Sequence, residues 1–262
     1  MDCRLDELAF DIASSAGWYS AIAGVLAGFA LLAVLLPLDH EADGDHERSS
    51  EPVVIMTCAF FSLLLLSFSY AILAGRIDQD DQALAAHEQL LLGASMGLSS
   101  LLLLLALYAL LVTYGQNREV FRPARQVILV TTGFAGPLVV VALQFSNALD
   151  IERVRLAATE SPECSFGGMP NGVWVNLAIT LVALAVIGTL ALARHRIPAR
   201  VGAASAVARG VLGFTVVVVL WSALALPLLP SDVVSSPVFE HVTLLVTTLA
   251  TTVVAATAWA AR

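Results

Sequence analysis

Residues Leu90–Tyr114 read LLLGASMGLSSLLLLLALYALLVTY, a run of 25 residues without an Asp, Glu, Lys, Arg or His. A helix of that length rises about 37 Å at 1.5 Å per residue, more than the roughly 30 Å of a bilayer's hydrocarbon layer. Lipid offers no partner to a free N–H or C=O, so such a run must close its backbone hydrogen bonds within itself, as a helix. The barrel alternative needs strands of about ten residues alternating apolar and polar. That pattern is absent from the sequence.

Working outward from this span, six further blocks of about 20 residues lack Asp, Glu, Lys and Arg: 18–37, 53–74, 127–149, 173–193, 210–229 and 242–261. With 90–114 they predict an all-α, polytopic membrane helix bundle of seven transmembrane helices in a single domain over residues 1–262. Composition agrees, with 58% hydrophobic and 13% charged residues and a mean hydropathy of +0.85. A soluble domain carries about twice that share of charge. The segments 38–52, 75–89 and 150–172 between spans are too short to bury cores of their own. The first block is expected to stay as a span rather than act as a cleaved signal, because the flank before it carries Asp2, Asp6, Glu7 and Asp11 against one arginine.

The basic residues are all arginines; the chain has no lysine. Arg48, Arg118, Arg122, Arg125, Arg194, Arg196, Arg200, Arg209 and Arg262 fall on one side of the predicted membrane, and only Arg4, Arg76, Arg153 and Arg155 on the other. The arginine-rich side reads as cytoplasmic, which puts the N-terminus outside and the C-terminus inside the plasma membrane, with a bacterial origin expected. Cys3 and Cys164 then share the oxidising side, where pairing and two separate thiols are both open readings, while Cys58 reads as a packing residue.

Glycine pairs at four-residue spacing, Gly24 with Gly28 and Gly93 with Gly97, predict close helix approach, within the chain or in a homo-oligomer. Gly133, Gly136 and Pro137 predict a kink, since Pro137 withholds one N–H from the helical ladder. Asn171 is expected to cap the fifth helix.

The central parts of the spans contain no ionisable acid or base, which argues against ion pumping, and the missing lysine excludes a retinal Schiff base. No P-loop, nucleophile elbow or His-Glu-x-x-His motif occurs, so neither an enzyme nor a cofactor is expected, and no nucleic acid. Neutral polarity concentrates in the last span, where Thr243, Thr247 and Thr251 form a row four residues apart. With Gln144, Asn147 and Asn176 they are candidates to line a conduit; the competing reading makes them small packing residues. His87, Glu88, Glu240 and His241 stand at helix ends and are weak metal-ligand candidates, since carboxylates in a first helical turn also serve the helix dipole. The first loop, Asp39 to Glu47, has the start of a calcium loop but not its closing glutamate, and reads as a solvated acidic connector. The sequence therefore points to a passive channel or facilitator for a small ion or neutral solute. The alternative is a non-transporting scaffold, sensor or accessory subunit. Beyond the lipid bilayer, no partner is identified.

Overall fold

The computed structural model describes residues 12–40, 50–76, 82–114, 121–157, 169–198, 202–234 and 236–261. Among them seven helices are long and apolar enough to cross a membrane. We number them α1 (Ile12–His40), α2 (Ser50–Arg76), α3 (Gln82–Tyr114), α4, α5 (Asn171–Leu192), α6 and α7 (Pro237–Ala260). Two are composite. Arg122–Val130, a π-helical turn at Thr131–Ala135 and Gly136–Ala157 make up α4. Ala203–Leu220, a π-helical turn at Trp221–Ala225 and a 3₁₀ turn at Leu226–Leu228 make up α6, which a short helix, Ser231–Val234, separates from α7. Cys3, Cys164 and the acidic first-loop segment from Glu41 to Glu47 lie outside the described residues.

Proline placement accounts for several boundaries. Pro123 and Pro237 lie in the first turns of α4 and α7, where a missing N–H costs nothing. Pro170 is the N-cap of α5, in extended backbone and without a side-chain cap bond, so Asn171 is the first helical residue and not the cap expected of it. The two π turns share one cause. Pro137 and Pro227 each deny an N–H to the carbonyl four residues back, and the ladder widens to the fifth residue just before them. The Gly136 N–H bonds Thr131 O, and the Leu226 N–H bonds Trp221 O.

The middle of the bundle is α3. Two packed layers surround it, one holding Leu63, Leu66, Leu92 and Val218, the other Ile55, Ala59, Leu102 and Val211. Outward faces are apolar as well, with Trp18, Phe29, Phe68, Val182, Val217 and Leu245 exposed, as side chains facing hydrocarbon must be.

The glycine pairs seat neighbours other than each other. A Cβ at Gly93 would stand 2.6 Å from Asn147 Nδ2, and one at Gly97 2.6 Å from Val140 Cγ1, so this pair makes the seat for α4. A Cβ at Gly24 would meet Ser67 of α2 at 3.3 Å, whereas Gly28 has nothing within 4 Å. Beside Gly24, Ser20 and Ser67 each donate a hydroxyl hydrogen bond to the other's carbonyl oxygen, at 2.9 and 3.0 Å.

Candidate functional site

At one end of the bundle, α4, α5 and α7 bury an ion network. Glu240, in the first turn of α7, has no exposure, and Glu152 near the end of α4 has 2%. Arg155, one turn beyond Glu152, holds both with its planar fork: Nη1 donates to Glu152 Oε1 at 2.7 Å and Nη2 to Glu240 Oε2 at 2.6 Å. The remaining oxygen of Glu240 accepts from Asn176 Nδ2, one turn into α5. With its nitrogen so engaged, the Asn176 amide has only its oxygen to offer His241. His241 Nδ1 therefore carries the proton and donates it to Asn176 Oδ1 at 2.8 Å.

Room for this network comes from Gly172, where a Cβ would collide with the Glu152 carboxylate. A second ion pair, Arg153 to Asp150, lies on the same stretch of α4. Buried His87 of α3 donates Nδ1–H to Ala83 O at 3.0 Å and lays its ring 5.2 Å from that of Phe239, the residue before Glu240. Glu88 is buried next to it in sequence.

The expected polar set is thus divided. Glu240, His241 and Asn176 meet one another, but their partners are Glu152 and Arg155. Among the described residues no group of three or more His, Cys, Asp or Glu could hold a metal ion. Asn147 faces Gly93 of α3, while Gln144 Nε2 donates across to Thr251 Oγ1 of α7 at 3.3 Å. The threonine row is buried, with Thr247 and Thr251 at no exposure. Each hydroxyl closes on its own helix: Thr243 on Phe239 O, Thr247 on Leu244 O and Thr251 on Thr247 O, at 2.8–3.0 Å. Thr243 and Thr247 also form part of a lateral recess of about 190 Å³ that Leu91, Phe214, Trp221 and Phe239 line.

The opposite end has a smaller anchor. The carbonyl that Pro137 leaves without an N–H is that of Gly133, and Trp259 Nε1 of α7 donates to it at 3.0 Å. A Cβ at Gly133 would press into the Trp259 ring at 2.7 Å, and Arg194, just beyond α5, lies 5.7 Å from the ring centroid as a cation–π partner.

Sequence reasoning missed Asp150, Glu152 and Arg155 because it ended the fourth span at Leu149 and counted what followed as loop. A signal was available: Gln144, Ala148, Glu152 and Arg155 keep helical spacing past that point. Comparison with known proteins adds no relative, for no family model matches the chain and no curated protein or solved structure is similar to it.

Proposed function

We propose that this chain is a multi-pass membrane protein without catalytic activity that works as a scaffold, sensor or accessory subunit. It would sit in a bacterial plasma membrane with the ion network on the outer side. The observation that carries the reading is that the polar groups expected to line a passage are spent on ties between helices or on their own helix backbone. Gln144 is spent on Thr251, Asn176 on Glu240 and His241, and Thr247 and Thr251 are fully buried with their hydroxyls bonded to their own backbone. Ties of this kind fix the helix ends that bear the connecting loops, as a protein that presents surfaces to partners requires. The arginine asymmetry between the two sides supports the orientation.

Purified protein in liposomes tests the reading. Water, glycerol, K⁺ and Cl⁻ should each cross at the rate of protein-free vesicles, and protein-dependent flux of any of them overturns it. The conduit keeps one observation in its favour, the recess at the α6 seam whose lining includes Thr243 and Thr247 of α7. On that reading, flux appears and falls when Thr247 is replaced by Val.

A further inference from the structure

Serine and threonine on a helix ordinarily satisfy a buried hydroxyl on the carbonyl three or four residues back. Ser69, Ser100, Thr132, Thr180 and the threonines of α7 do so here. Five serine and threonine hydroxyls depart from this habit, Ser222 in the π turn of α6 and four near the middle of their spans. Ser62 of α2, Ser95 and Ser99 of α3 and Thr215 of α6 are fully buried, and none has a hydrogen-bond partner among the described residues.

They stand at one level. Ser62 lies between Ala59 and Leu63, and Thr215 between Val211 and Val218, at the boundary of the two core layers to which those residues belong, while Ser95 and Ser99 straddle that boundary on α3, one beside Met96 of the first layer and the other beside Leu98 of the second. Two residues along a helix turn its face by about 200°. Ser95 and Ser99 therefore point away from the side on which Gly93 and Gly97 seat α4. Leu91, on the same face one turn before Ser95, lines the recess with Phe214 and Val218 of α6. All four fall near the middle of their spans, Glu51–Gly75, Gln82–Thr113 and Ala203–Leu228.

An isolated buried hydroxyl is costly in an apolar interior, and four on three mutually packed helices point to a shared polar ligand. It is neutral, since no charged residue of α2, α3 or α6 lies within five positions of the four. Each hydroxyl both donates and accepts, as water does, and buried water makes about three hydrogen bonds to such groups.

We propose that the α2–α3–α6 interface holds bound water at mid-membrane depth, coordinated by Ser62, Ser95, Ser99 and Thr215. The site is independent of the scaffold reading: it requires no passage, and its boundary on one side is the apolar layer of Ile55, Ala59, Leu102 and Val211.

Water-edited solid-state NMR on ¹³C-labelled protein in bilayers tests the proposal, with S62A, S95A, S99A and T215V assigning the signals. Magnetisation from water should reach the Cβ atoms of the four residues several-fold faster than those of Leu63, Leu98 and Val218. Equal build-up at both sets overturns the proposal. The triple variant S95A/S99A/T215V gives a second readout that does not depend on labelling. Its melting temperature falls, and transfer to Ser62 slows, if water bridges the hydroxyls. A rise in melting temperature, the result of deleting hydroxyls that had no partner, contradicts it.

Discussion

Glu240 shows what a single side chain does in this bundle. Removing one member of a buried ion pair strands the rest, at about 3–5 kcal/mol. Glu240→Ala strips one arm of the Arg155 fork and the acceptor of Asn176, and is expected to destabilise the protein by that amount in detergent unfolding. Glu240→Gln keeps the volume and one acceptor and should cost less. At the other end, Trp259→Phe leaves Gly133 O without a donor, at about 1–3 kcal/mol. Pro137→Ala supplies the missing N–H, so the same Trp259→Phe change in that background should cost less, a coupling that a double-mutant cycle measures. An additive result would show that the indole does not replace the backbone donor. The proline and the carbonyl it orphans could be read in the sequence. The tryptophan 122 positions later could not, because nothing local in either segment encodes the pairing.

Whole helices are a different matter. Lipid forces any uncharged run of sufficient length to be helical, so the seven spans could be read from the chain, including Leu90–Tyr114 at the centre. Their ends could not be read as well, since a charged residue stops a hydropathy window without stopping a helix. For that reason α4 carries Asp150, Glu152 and Arg155 into the folded bundle. The glycine pattern likewise named no partner: Gly93 and Gly97 face Asn147 and Val140, while Gly28 faces open space. Gly97→Val must displace Val140, and should cost about 1–3 kcal/mol as an overpacked contact. Gly28→Val has open space and should stay within about 0.5 kcal/mol of the parent. Equal losses at the two positions, read as chemical-denaturation midpoints, would contradict this division between a seat and an open face.

At the scale of the whole molecule, three side-chain ties join α4 and α7. Gly133 meets Trp259, Gln144 meets Thr251 and Arg155 meets Glu240, so the two helices run antiparallel and are tied at both ends and in the middle. The threonine row lies along that seam, where the sequence left both conduit wall and packing surface as readings. Burial and the direction of each hydroxyl support packing, and the scaffold proposal stands or falls with them. The most direct measurement is thiol labelling of Thr247→Cys and Thr251→Cys, each in a background without other cysteines, in intact membranes with a small polar reagent added from either side. The account predicts that neither position reacts. Labelling of either one would place it on a water-accessible passage and contradict the account.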